Sequence, residues 1–376
     1  MSQHAPVAAA RPAVRTAFRR TAVAAAVLLA LTGTAATATA AAADAPLSGS
    51  EATIAVGARN AVPVVSPDGA TAYVAVTEAD NTSTVKAVDT QSGAVTARLA
   101  LGTLQWGAHI VLSADGSRLY VLDGQRLSVV DTATLTLRAT VALPDQPRPA
   151  GWTQGSTSGL AFSPDGSTLY VSQSGPTAYR QNGQSRILAF ATAQQAFTAS
   201  VQIPAPYVGA PAARPGTGDL YVGTSQGVVH LTTAGAAPAV AATVQGTATA
   251  LDYNLAFTPD GKRLFGLAEI GSGTSTFIDP ATDTVTGTFH AGAGAEALES
   301  PQVSADGTRI YLTDSTYTSS ASVLALDTAT GAPVPADGAG DLDEDNLTGL
   351  ALGPDGHTFY VTGTVGQTAN LQIVAH

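Results

Sequence analysis

From residue 52 onward the apolar residues fall into short blocks, each closed by Gly, Pro, Asp or Ser, and the blocks recur in a fixed order. The first block of each unit is a short apolar run that ends at a turn, such as GLAFS at 159–163 or NLAFT at 254–258. The turn reads SPDG at 66, SADG at 113, SPDG at 163, TPDG at 258, SADG at 304 and GPDG at 353. Pro presets φ for the second turn position, Asp bonds its own backbone, and Gly accepts the left-handed geometry that follows. The second block opens on an aromatic: Tyr73-Val74, Tyr120-Val121, Tyr170-Val171, Tyr221-Val222, Phe265, Tyr311-Leu312 and Tyr360-Val361. A third block ends at Asp-Thr or Asp-Pro, as in VKAVDT at 85–90, LSVVDT at 127–132, FIDP at 277–280 and VLALDT at 323–328. The fourth alternates in character, as in TLRATVAL at 136–143.

Blocks of this length, rich in Val, Thr and Tyr and joined by tight turns, predict four antiparallel strands per unit. No stretch after the N-terminal region sustains a 3.6-residue period, so almost no helix is expected. The turn aspartates Asp68, Asp115, Asp165, Asp260, Asp306 and Asp355 are spaced by 47, 50, 95, 46 and 49 residues. A degenerate copy, RPGTGDLYV at 214–222, splits the longest interval in two. Seven units of similar length predict an all-β, seven-bladed β-propeller of four-stranded antiparallel blades over residues 51–376. The seventh unit ends at NLQIVAH (370–376), its third strand, whereas ATIAV (52–56) is a lone strand ahead of the first unit. Pairing that strand with the last blade closes the ring and covers an exposed edge.

The turn-plus-strand pairs SPDG…LYV and the endings VDTATL and LDTATG resemble the YVTN family of WD40-like seven-bladed propellers, in a secreted bacterial form, over the whole of 51–376. The resemblance implies the fold and is nearly silent about activity, because its motifs are turn and packing residues.

Residues 1–43 read differently. Arg11, Arg15, Arg19 and Arg20 lead into AVAAAVLLAL at 22–31 and a small-residue tail, the order of a secretory signal peptide. A short linker, 44–50, follows. The pair Arg19-Arg20 leaves the Sec and twin-arginine routes both open, and an extracellular location is expected. The apolar run is shorter than the ~20 residues a membrane span needs, and no later segment approaches that length. Removing 1–43 takes four of the 17 basic residues and none of the 28 acidic ones, so the formal charge becomes −15. The remaining basic residues are scattered singly, which disfavours nucleic acid and anionic membranes as partners. There is no cysteine, which excludes disulfides, thiolate metal sites and a Cys nucleophile.

In a propeller the loops entering each blade and those joining its second and third strands share one face, where ligands of such proteins usually bind. Two loops there stand out by length: PDQPRPAGWTQGSTS (144–158) and SQSGPTAYRQNGQS (172–185). They bring Arg148, Trp152, Gln154, Tyr179, Arg180 and Asn182 to blade three, a set suited to gripping a protein or stacking on a sugar. Entering blade seven, GDLDEDNLTG (340–349) carries Asp341, Asp343 and Asp345, hard oxygen ligands of the kind Ca²⁺ takes. The run lacks the central Gly and distal Glu of an EF-hand, and a solvated acidic loop is the commoner explanation for it. Nearer the tunnel, His109, Asp252, Asn254 and Glu299 stand six to eight residues before turn aspartates, with Glu296 close by. In residue type and place Glu299, Asn254 and the nearby Asp252 are similar to the oxygen-ligand metal sites of propeller lactonases, in which a metal polarises a carbonyl.

Other chemistry is thin. His109, His230, His290, His357 and His376 lie in different blades without metal-ligand spacing, and no GxSxG, GxxxxGK or CxxCH occurs. The expectation is a non-catalytic binding propeller without cofactor, recognising an extracellular protein or carbohydrate. The alternative is a metal-dependent, lactonase-like hydrolase at the tunnel mouth. Oligomeric state is not readable.

Overall fold

The structure is a computed structural model that describes residues 52–103, 108–235, 237–247, 254–268, 273–292, 297–315, 321–335, 342, 344 and 346–376. The signal-peptide and linker expectations over 1–43 and 44–50 lie outside the described residues. Seven four-stranded antiparallel sheets form a β-propeller, with no helix among the described residues. In blade one the strands run Arg59–Val65, Thr71–Thr77, Thr82–Asp89 and Val95–Thr103, from the axis outward. Blades two to six span 109–142, 157–203, 208–243, 254–289 and 297–334. Blade seven takes three strands from the C-terminal end: Asn346–Leu352, Thr358–Val365 and Thr368–Ala375. Its outermost strand is Ala52–Gly57, which pairs antiparallel with Thr368–Ala375 (Ile54 opposite Leu371, Ala52 opposite Ile373). The innermost strands touch in cyclic order, blade seven meeting blade one.

The core is not one cluster but seven, each wedged between neighbouring blades. The second strand of blade one shows how the sequence feeds them. Ala72, Val74 and Val76 pack toward blade seven, while Tyr73 and Ala75 pack toward blade two. A strand buried on both faces needs apolar residues at consecutive positions, which is why these blocks read as unbroken runs. Only the outer strand, such as Val95–Thr103, alternates exposed with half-buried residues.

The repeated turns join the blades as well as bending the chain. In five of the turns the Asp carboxylate accepts from the preceding Ser or Thr hydroxyl and from a backbone N–H two residues on (Ser66 Oγ at 2.5 Å and Ala70 N at 3.0 Å for Asp68), while Asp355, preceded by Gly353, accepts from the Thr358 hydroxyl at 2.7 Å. The turn Gly also faces the turn Pro of the preceding blade. A Cβ added at Gly116 would lie 2.7 Å from Pro67, one at Gly218 3.1 Å from Pro164, one at Gly307 3.2 Å from Pro259, and one at Gly69 3.4 Å from Pro354 across the seam. Gly166 and Gly356, which follow the two SADG turns with Ala114 and Ala305 in place of Pro, face open space.

The threonines that follow the third strands, three of them in Asp-Thr pairs, fasten the same face. Thr90, Thr132, Thr192, Thr233 and Thr328 donate their hydroxyls to the turn-Gly carbonyls of Gly69, Gly116, Gly166, Gly218 and Gly307, at 2.6–3.0 Å. The phenols of Tyr360, Tyr73 and Tyr170 engage Thr90, Thr132 and Thr233 of the following blade. In blade seven the C-terminal His376 occupies the threonine position, its N–H bonded to the His357 carbonyl at 2.8 Å. Its ring stacks on Phe359 (3.9 Å between centroids) and meets Tyr311 of blade six edge-on at 5.2 Å.

Blade five has Pro280 where five of the other blades have that threonine, and the degenerate fourth unit compensates. The Pro280 carbonyl accepts from Arg214 Nη1 at 2.9 Å, and Tyr221 lies 3.1 Å from it and 2.8 Å from Asp283 Oδ1. His230, stacked on Tyr221 at 4.5 Å, meets the other Asp283 oxygen at 2.8 Å. Burial, followed by the Asp283 carboxylate, pushes the Tyr221 phenol far above its ordinary value.

Candidate functional site

The two long loops of blade three form a layered lid on the face opposite these turns. At its base lies Arg186, on the strand Ser185–Ala191 and almost fully buried. Its guanidinium donates to Gln173 Oε1 at 2.7 Å and to the carbonyls of Asp145 (3.1 Å) and Pro144 (2.5 Å). Burial pulls this guanidinium down from its ordinary value, and the Asp145 carboxylate opposes that shift. Gln173 Nε2 donates to Gln125 Oε1 of blade two (2.8 Å) and to the Gly155 carbonyl (3.0 Å). Gln146, 2% exposed, spans the two loops: its Nε2 donates to the Ser174 carbonyl and its Oε1 accepts from the Gly155 N–H, both at 2.9 Å. Gly155 has no room for a side chain, since an added Cβ would run into the Ser174 carbonyl.

Above this base the sequence-predicted residues divide into two groups. Arg148 and Gln154 converge on the Asp145 carboxylate at 2.7 and 2.6 Å, and Arg148 Nε reaches the Trp152 carbonyl at 3.2 Å. These contacts hold the Asp145 carboxyl below its usual range, Arg148 contributing most. Trp152 itself is half-buried. The others form a hairpin, in which Thr177–Ala178 pairs with Gln181–Asn182 and Thr153 bridges to Thr177. Tyr179 and Arg180 make its tip. Tyr179 is 85% exposed, and the Arg180 guanidinium sits 5.1 Å from its ring centroid. Arg180 holds φ at 56°, left-handed backbone that costs a side chain of this size energy. Asn182 is exposed on the return strand.

Sequence reasoning passed over the base of the lid: Gln125, Asp145, Gln146, Gln173 and Arg186. A signal was present, since Arg186 stands inside the otherwise apolar SRILAFA and Gln173 closes the run LYVSQ. A charge in a block of that kind marks a built polar network.

The tunnel residues occupy less uniform surroundings. Asn254, on the innermost strand of blade five, donates Nδ2 to the Leu298 carbonyl of blade six at 3.0 Å. His109 holds the comparable place in blade two; burial lowers its imidazole from the ordinary value while a hydrogen bond to the Thr157 backbone of blade three opposes this. Both thus bridge one innermost strand to the next. At the same register Gly159 and Gly349 instead let the neighbouring blade come close, against Ala210 and Pro63. Glu299 is open to solvent, yet surrounding protein desolvates its carboxyl and raises it above the usual range. Asp252 and Glu296 lie outside the described residues, as do Asp341, Asp343 and Asp345 of the acidic loop. Glu344 of that loop is buried. Among the described residues no cluster of three or more His, Asp or Glu is arranged to hold a metal, and no helix is long and apolar enough to cross a membrane.

No protein-family model matches this chain, and a search of curated proteins finds no match to it.

Proposed function

We propose that this chain is a secreted, YVTN-like propeller that works as a binding module, and that the blade-three lid is its contact surface for an extracellular protein. The observation that carries this reading is Tyr179, 85% exposed at the tip of a hairpin whose base is bonded to buried Arg186, Gln146 and Gln173 through the lid. An exposed aromatic on a rigid support loses little conformational freedom on binding. A protruding tip with an adjoining guanidinium fits a groove on a protein better than it encloses a sugar.

The test is capture of secreted proteins and of polysaccharides on immobilised wild type, Tyr179→Ala and Arg180→Gly. Recovery of a protein by wild type that falls about tenfold with Tyr179→Ala, at unchanged melting temperature, supports the reading. Equal recovery by both sinks it, and retention of polysaccharide alone transfers the lid to glycan binding.

A hydrolytic alternative has one support: the solvent-open Glu299, whose raised carboxyl suits a general base. Lactone turnover that needs Ca²⁺ or another divalent metal, stops with chelator and disappears in Glu299→Ala would establish it. The residues Asp252, His109 and Asn254, and a Ca²⁺ site at Asp341, Asp343 and Asp345, would be examined by the same assay.

A further inference from the structure

A second concavity lies away from the lid, at the seam between the last blade and the first. It is a pocket of about 410 Å³ on the lid's face of the ring, between blades seven and one. Arg59 and Asn60 enter from the innermost strand of blade one, Asn346 and Thr348 from that of blade seven, and Thr364 and Gln367 from the end of its second strand and the turn that follows. The remaining wall is alanine and glycine. Its volume is in the range of small-molecule sites.

The wall chemistry is selective. Among the described residues it presents three carboxamides, two hydroxyls and one guanidinium, with no aromatic ring and no carboxylate. Thr348 gives its hydroxyl hydrogen to the Ala61 carbonyl at 2.6 Å, so toward the pocket its oxygen can only accept. Arg59 donates one N–H to Asn81 Oδ1, and a guanidinium has five. Each amide contributes donors and an acceptor together. Asn60 is held at φ 52°, in left-handed backbone at the bulge between Arg59 and Val62, so the rim keeps a strained side-chain direction. The carboxylates at the neighbouring turn are already engaged: Glu78 by Lys86 at 2.7 Å and Asp80 by the Thr82 N–H at 2.9 Å.

Apart from Arg59 the described wall is uncharged and sets donors beside acceptors, and a ligand of this size that both donates and accepts all round its edge is a sugar. We propose that the seam pocket binds one neutral hexose unit, held by hydrogen bonds from Asn60, Asn346, Gln367 and Arg59. The pocket shares no residue with the blade-three lid, so the two sites succeed or fail separately.

Saturation-transfer NMR and titration of the purified protein with D-glucose, D-galactose, D-mannose and D-glucuronate, at low and high NaCl, test this. The expected result is binding of at least one neutral hexose with Kd on the order of 1 mM and little salt dependence. Asn346→Ala and Gln367→Ala, both at exposed positions, should each weaken it about fivefold to tenfold without moving the melting temperature. Absence of binding by all three hexoses overturns the proposal, as does equal binding by the double variant. Binding of glucuronate alone, lost at high salt, overturns it in favour of an anion site at Arg59.

Discussion

Thr362, on the second strand of the last blade, donates its hydroxyl at 2.6 Å to the carbonyl of Ala61 on the innermost strand of the first. Thr348 donates to the same carbonyl at the same distance, so both acceptor positions of a fully buried carbonyl are filled from the other end of the chain. Thr362→Val keeps the shape and removes one donor, an expected cost of about 1 kcal/mol. Removing both donors (Thr362→Val with Thr348→Val) strands the carbonyl and should cost about 2–3 kcal/mol, read as a fall in denaturation midpoint. An unchanged midpoint in the double variant would show that these bonds do not hold the seam.

The donated strand should matter more than any single bond. Ala52–Gly57 covers the edge of Thr368–Ala375, and Val56 is fully buried in the seam cluster. Deletion of 51–57 bares both, so the protein should melt many degrees lower and aggregate through the freed edge. Light scattering during a thermal ramp checks this, and an unaltered trace would refute the role given to that strand.

Two turns lack the proline that the others use. Ala114 and Ala305 stand at the turn position that Pro67 and Pro164 fill elsewhere, and the glycines they would face, Gly166 and Gly356, have open space. Ala114→Pro and Ala305→Pro should each stabilise the fold by about 0.4–1 kcal/mol, through a less flexible unfolded chain and a new contact between blades. Pro67→Ala should act in the opposite direction. Chemical denaturation of the three variants measures the effect, and a loss in both Ala→Pro variants would rule the mechanism out.

Acid should weaken the ring of turns progressively. Asp115 and Asp306 are lowered to about 2, chiefly by the hydroxyls of Ser113 and Ser304. A carboxylate depressed in the folded state contributes stability that is present above its unfolded value, near 4, and is lost as pH falls through the folded value. The contribution of these turns to the melting temperature should therefore hold steady above about pH 4.5 and decline between about pH 4 and 2. Asp306→Asn should flatten that decline; if its slope matches wild type, the turns are not the acid-sensitive element.

Glu299 has the opposite sign. Partial desolvation by the surrounding protein raises its carboxyl although the residue is open to solvent, so the charged form is disfavoured in the folded state and stability is lost as pH rises through the folded value. Glu299→Gln should equal wild type near pH 4 and melt higher at pH 8. A variant less stable at pH 8 would mean that Glu299 has a partner that favours its charge.

The strand blocks, the turns and the count of seven were legible along the chain because each depends on neighbours a few residues apart. The lid was legible only as two long loops. Arg148, Gln154, Tyr179 and Arg180 were found by residue type, but the sequence could not show that the first two are spent on Asp145 while the others stand free of the lid's base. Asn254 and His109 were legible as tunnel residues, but the sequence could not show their bonds to the Leu298 carbonyl and the Thr157 backbone of the next blade. The seam pocket left no motif, since its residues come from opposite ends of the chain and no spacing links Arg59 to Asn346.

Local stereochemistry, written in Pro, Asp and Gly at every turn and in unbroken apolar runs between them, was enough to determine seven β units and the direction of each strand. What the tertiary structure alone decided is which polar groups are left over for a ligand. Hydrogen bonds across a blade boundary join residues tens to hundreds of positions apart, so whether a Thr, Asn or Arg is already engaged depends on the neighbouring blade, and only the closed ring supplies that neighbour.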